Sequence, residues 1–180
     1  TPDPSNTGMR IDFKEIIDEI KQEGIQFPLV VRFHDILRSQ VALLNQTFQK
    51  AVKESEYKGE YMGVYPIKVN QMREVVEEIV DAGSPFNYGL EAGSKAELLT
   101  VMALNTNTES LTILNGYKDE EFMRLALLSR KLGRKTIVVI EKFSELILLV
   151  KTAKELDIKP LVGIRSKMTV KGRGKWESSG

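Results

Sequence analysis

Five short apolar, β-branched runs recur along the chain, at 62–69, 86–90, 111–114, 136–140 and 161–164. Between them lie amphipathic helical patterns at 72–81, 94–104, 119–132 and 144–156. Successive run centres stand about 24 residues apart, the spacing of right-handed βαβ units. Runs this short, without in-out alternation, predict a parallel sheet covered by helices. Five units suit either an open doubly wound sheet or the first part of a (β/α)8 barrel. The period alone does not choose between them.

Local signals support the same beat. Ser94 followed by Glu97 makes a capping box, and Asp119, Glu120 and Glu121 put negative charge on the positive end of the next helix. Gly83 and Gly133 stand where a left-handed residue would close a helix. Upstream, Ile11, Ile16, Ile17 and Ile20 share a helical face, and Gly24 suits the position just past that helix. FPLVVRF at 27–33 predicts a strand, and Asp35 is expected to cap a long helix to about Glu54, with Val41, Leu44 and Phe48 as its apolar stripe. Residues 1–10, rich in Pro, Asp, Ser and Asn, are expected to form a loose tail. The organisation expected is therefore a tail (1–10), a helix–strand–helix lead-in (11–58), and the regular βα part (59–180).

Composition removes several classes of function. A net charge of +1 offers no field for nucleic acid or an anionic membrane. No apolar stretch approaches the roughly 20 residues of a membrane span, and TPDPSNTGMR has no apolar signal core. With no cysteine and one histidine, the chain has no disulfides, thiolate metal sites or multi-histidine centres, which suits a reducing cytoplasm.

In either candidate architecture the ligand sits beyond the C-terminal ends of the strands. The residues there are Lys68, Glu91, Asn115, Glu141 and Arg165. A polar ring carries no function by itself, since every surfacing strand meets polar residues. Glu141 can serve as a helix N-terminal charge, and Asn115 before Gly116 as a turn. Lys68 is more pointed, because Ile67 and Val69 flank it in GVYPIKVNQ. Strand alternation would place it with Val64 and Pro66, opposite Tyr65 and Ile67. An amine partly withdrawn from water loses proton affinity and can form a Schiff base with a carbonyl. The bland alternative is a lysine snorkelling into solvent.

GVYPIKVNQ (63–71), YGLEAGSKAEL (88–98), LNGYKDEEF (114–122), VIEKFSEL (139–146) and GKWESSG (174–180) together resemble the biosynthetic arginine decarboxylases, and in that family's order. The resemblance runs from about Ile11 to the last residue. These enzymes belong to the alanine-racemase-like class of pyridoxal phosphate enzymes, with a (β/α)8 TIM barrel, a β-domain and an active site between subunits. The resemblance implies that L-arginine is decarboxylated to agmatine and CO2 in putrescine and spermidine biosynthesis. It implies a cytoplasmic homo-oligomer with pyridoxal 5'-phosphate, and raises magnesium as a second cofactor. Lys68 then matches the lysine that holds the cofactor as a Schiff base. Glu91 matches an acidic residue near the cofactor ring, Arg165 an arginine approaching its phenolic oxygen, and Asn115 a residue lining the same mouth. Ser94 matches a family serine whose capping role already explains it.

His34 matches no cofactor-binding position and reads as a solvated junction residue. The tail VKGRGKWESSG imitates a phosphate loop in composition, but no helix follows it, and Arg173 stands where the family carries a small residue. A barrel of this type needs about 250 residues, so the chain is expected to be the front part of a longer protein, inactive alone. The glycine-rich phosphate cradle, the acidic partner of the pyridine nitrogen and the residues gripping the guanidinium are expected downstream, with most of the β-domain. A reading of another class stays open: a non-catalytic α/β cofactor- or phosphate-binding module in which Lys68 is structural. Among enzymes, decarboxylases of other basic amino acids or of diaminopimelate are the nearest confusion, and VYPIKVNQ with GLEAGSKAEL argues against them.

Overall fold

The computed structural model describes residues 10–166. Their contacts separate two compact units. One runs to Tyr61 and includes Met72–Phe86; the other takes in Met62–Gln71 and the chain from Asn87 onward.

The first unit holds helices α1 (Phe13–Gln22), α2 (His34–Glu54) and α3 (Arg73–Gly83). Asp12 caps α1 by accepting from Lys14 N at 2.8 Å, and Gly24 closes it at φ +76° as expected. The predicted strand at 27–33 does not form. Pro28 lacks an N–H, and the segment finds no ladder partner among the described residues. Asp35 is not the cap of α2 either. Phe33 holds that position without a side-chain bond, and Asp35 lies inside the first turn, where its charge meets the helix dipole. The buried seam of α2 is Val41 with Asn45, whereas Leu44 and Phe48 stay exposed and the Phe48 ring stacks on Tyr61 at 4.2 Å. Arg38 ties α2 to α3 through Glu78 at 2.8 Å and Asp81 at 2.6 Å. His34 stands 3.3 Å from Glu78, a half-buried junction residue. Gly83 needs no left-handed backbone, because α3 runs on into a right-handed 3-10 turn at Ser84–Phe86. Asn87, at φ +52°, takes the left-handed position instead.

The second unit is a five-stranded sheet with helices α4 (Lys95–Leu104), α5 (Glu120–Lys131) and α6 (Phe143–Leu156). Its strands are β1 (Val64–Pro66), β2 (Gly89–Ala92), β3 (Leu111–Leu114), β4 (Lys135–Ile140) and β5 (Leu161–Ile164). All pairings are parallel and the spatial order is the chain order, with Val64 opposite Gly89, Leu90 opposite Thr112, Thr112 opposite Thr136 and Val138 opposite Val162. A doubly wound sheet must reverse its order at a switch point; this one never does. The winding is that of a (β/α)8 barrel, seen here as five strands among the described residues.

Ser94 caps α4 and Asp119 caps α5, their side chains accepting from Glu97 N at 3.2 Å and Phe122 N at 2.9 Å. Gly133 ends α5 at φ +85°. β2 is buried throughout, but β3 and β4 alternate, contrary to the expectation of two equally covered faces. Thr112, Leu114, Thr136 and Val138 are buried; Ile113, Ile137 and Val139 are only half-buried. The buried set faces the helices, since Thr136 Oγ1 lies 2.6 Å from Ser129 Oγ of α5. Phe122, Met123, Ala126 and Leu127 of α5 share this core with Leu98 and Leu149.

Candidate functional site

Every strand of the parallel sheet ends at the same rim, and four of the five strand-end residues meet there. β1 is shorter than its apolar run: it stops at Pro66, and Ile67–Val69 form a 3-10 turn. Strand alternation therefore does not govern Lys68. Ile67, 1% exposed, is the anchor of the turn, and Lys68 projects from it as an exposed side chain, not one withdrawn from water. Tyr65 Oη donates to Asn70 O at 3.3 Å across the turn, and burial pushes the Tyr65 phenol upward. Gln71 Nε2 donates to Glu97 Oε1 at 3.0 Å, latching the turn to the start of α4. The second Glu97 oxygen accepts from Gly93 N at 2.6 Å, one residue before the cap, so the capping box closes on Gly93.

A cavity of about 500 Å³ opens at this rim, lined by Lys68, Glu91, Asn115 and Arg165, with backbone at Gly93 and Gly116. Glu91 lies within β2, 5% exposed, and its Oε1 has no hydrogen-bond partner among the described residues. A buried carboxylate oxygen left unpaired is costly unless a ligand completes it. Asn115 begins the turn after β3, its N–H donating to Ala92 O at 3.0 Å. Gly116 follows at φ +74°, packed so closely on the Gly93 carbonyl that a Cβ there would collide with the oxygen.

Glu141 stands outside the cavity lining but organises it. Its Oε1 accepts from Gly116 N at 2.6 Å, and its Oε2 lies 3.3 Å from Arg165 Nη1. Arg165 is also held by its own N–H, which donates to Ile140 O at 3.1 Å. Behind this rim lies a pair that the sequence reading missed. The Lys118 side chain is fully buried, and Glu145 beside it is 3% exposed. Burial pushes the Lys118 ammonium down, while the charges of Glu145 and Glu141 pull the other way. The only trace of the pair in the sequence is that Glu145 falls one helical turn after Glu141.

The arrangement presents an amine, a buried acceptor and a guanidinium around one space of ligand size. These groups fit an aldehyde-bearing aromatic ring with ionisable substituents: the amine can condense with the aldehyde, and the orphan carboxylate oxygen can accept a hydrogen bond from a ligand donor. Among the described residues no group of three or more His, Cys, Asp or Glu side chains could hold a metal ion. No described helix is long and apolar enough to cross a membrane. GKWESSG and Arg173 lie outside the described residues.

Comparison with known proteins adds a family. Residues 39–180 match the profile described as "Pyridoxal-dependent decarboxylase, pyridoxal binding domain". The chain is similar to a protein named biosynthetic arginine decarboxylase from Bacteroides thetaiotaomicron, at 48% identity over 98% of this chain and 28% of that protein. The crystal structure of the biosynthetic arginine decarboxylase of Campylobacter jejuni superposes with a TM-score of 0.78 at 39% identity, covering 84% of this chain and 25% of that one. A diaminopimelate decarboxylase from Helicobacter pylori shares the fold, with a TM-score of 0.58 at 19% identity over 86% of this chain and 34% of that one. The chain thus spans about a quarter of the length of the curated relative and of the arginine decarboxylase structure.

Proposed function

We propose a function from one premise: the chain belongs to the pyridoxal-dependent decarboxylases, as their pyridoxal binding domain. The βα part that begins at residue 59 is read as the first part of a pyridoxal phosphate-binding (β/α)8 barrel. The intact protein decarboxylates L-arginine to agmatine and CO2, in the cytoplasm, as a homo-oligomer on the route to putrescine and spermidine. The likeness to arginine decarboxylases supports the substrate. The observation that carries the reading is the meeting of Lys68, Glu91, Asn115 and Arg165 around one cavity at the strand ends. The described residues supply no ligand cluster for magnesium, and the reading assigns it none.

Lys68, Glu91, Asn115 and Arg165 would hold pyridoxal phosphate. When bound, the cofactor supplies an electron sink for the pair left behind as CO2 departs. Lys68 Nζ, on an exposed turn, would hold the cofactor's aldehyde covalently and, as a free amine, would take up and return a proton at that nitrogen. Glu91 Oε1 offers a buried acceptor that no other described residue engages. Arg165, steadied by Glu141, brings a fixed positive charge to whichever oxygen gains electron density.

Borohydride reduction of the intact protein loaded with pyridoxal phosphate, followed by peptide mass mapping, tests the assignment. The pyridoxyl mass is expected on the peptide containing Lys68. Label on a different lysine, or on none, refutes it. Product formation from arginine, ornithine and lysine under equal conditions tests the substrate.

A further inference from the structure

The rim of the cavity is braced from behind by a side chain that does not line it. Lys118 Nζ donates to Gly116 O at 2.5 Å and to Val139 O at 2.6 Å, joining the turn after β3 to the last part of β4. Glu145, in the first turn of α6, lies 3.7 Å from that ammonium. Its Oε1 accepts from Lys118 N at 3.0 Å and its Oε2 from Glu141 N at 2.9 Å. Glu141 then engages Gly116 N and Arg165. One continuous network therefore runs from a buried ion pair to two groups that line the cavity.

Burying an ammonium and a carboxylate costs several kcal/mol of desolvation per ion before their attraction is counted, and apolar side chains of similar volume hold a fold as well. What apolar packing lacks is direction. Lys118 joins the carbonyls of two separate segments, and Glu145 takes an N–H from each of the two turns, so neither turn can shift without breaking charge-assisted hydrogen bonds. We propose that Lys118, with Glu145, is a positioning residue: by locking the turns after β3 and β4 together it fixes the Glu141 carboxylate, and through it the Gly116 turn that borders the cavity and the Arg165 guanidinium that faces the anionic pyridine aldehyde. This rests on the cofactor reading above.

The test is a double-mutant cycle on the intact protein, with the pyridoxal phosphate dissociation constant and the yield of reductively fixed Lys68 as readouts. Lys118→Met is expected to weaken binding about tenfold when Glu141 is present, and less than about twofold in a Glu141→Ala background, because residues in one network are non-additive. A purely structural lysine would lower affinity by the same factor in both backgrounds, and that result overturns the proposal, as does unchanged affinity in the single variant. Should Lys118→Met fail to fold by circular dichroism, Glu145→Gln enters the same cycle, since its amide would turn a donor toward one of the two N–H groups. The same two results decide it. If the unaltered protein fixes no cofactor on Lys68, the functional reading falls, and this inference with it; if it does and the cycle is additive, only the inference falls.

Discussion

Replacing Gly116 with alanine tests the geometry of the rim, with Gly133→Ala as its internal control. Both glycines sit at positive φ, +74° and +85°, so both substitutions carry the left-handed cost of about 1–2 kcal/mol. The space around them differs. Nothing stands within 4 Å of a Cβ built on Gly133, while one on Gly116 meets the Gly93 carbonyl oxygen. That carbonyl is backbone, held next to β2, so the turn itself must retreat. Retreat draws Gly116 N–H away from Glu141, forfeiting a 2.6 Å bond to a charged acceptor worth roughly 1.5–3 kcal/mol. The expected loss is therefore about 2.5–5 kcal/mol for Gly116→Ala against about 1–2 kcal/mol for Gly133→Ala. With an m-value of roughly 1–3 kcal/mol/M, a difference of about 2 kcal/mol separates the two urea midpoints by roughly 1 M. Urea titrations followed by circular dichroism read this directly. Equal midpoints at equal m would show that the collision and the Glu141 bond contribute nothing, and the described rim would be wrong.

Two further outcomes follow from charge. Arg165→Ala is expected to leave borohydride labelling at Lys68 in place while slowing arginine decarboxylation by about a hundredfold, the scale of removing one charge-stabilising donor; steady-state rates within threefold of the parent would show the guanidinium is misassigned. Asp119, accepting from Phe122 N and paired with Lys95, has its carboxyl held below the usual aspartate range. A depressed folded pKa gives stability that is present above the unfolded value, about 3.9, and lost as pH falls through the folded one. Asp119→Asn keeps an acceptor at the cap but cannot titrate, so its urea midpoint should fall less steeply than the parent's below pH 4, and parallel profiles would contradict this.

Much of the architecture is written in features that act over a few residues. Apolar runs alternating with helical periods announced the strands and helices of the sheet, and β3, β5 and α4 keep the expected limits to within a residue. Ser94 and Asp119 cap where their side chains reach an N–H three residues on, and Gly24 and Gly133 take the positive φ that side chains disfavour. These outcomes depend on short-range sterics and hydrogen bonds, which the order of residues already contains. The expectations that failed were ones in which a distant partner had the deciding vote. The 27–33 run is apolar enough for a strand but finds no edge to pair with among the described residues. Lys68 looked like a strand residue until Pro66 ended the ladder and the turn at Ile67 began. Strand order was undetermined by a period that two architectures share, and became plain only when every neighbour in space proved to be a neighbour in sequence. The site divides along the same line. Lys68, Glu91, Asn115 and Arg165 could be named as strand ends, yet nothing in the 98 residues from the first to the last of them states that they share a cavity. Lys118 had no local mark and Glu145 only its place one helical turn after Glu141, because an ion pair buried between two turns is defined by what the folded chain brings against it, and desolvation and charge pairing act through space, not along the backbone.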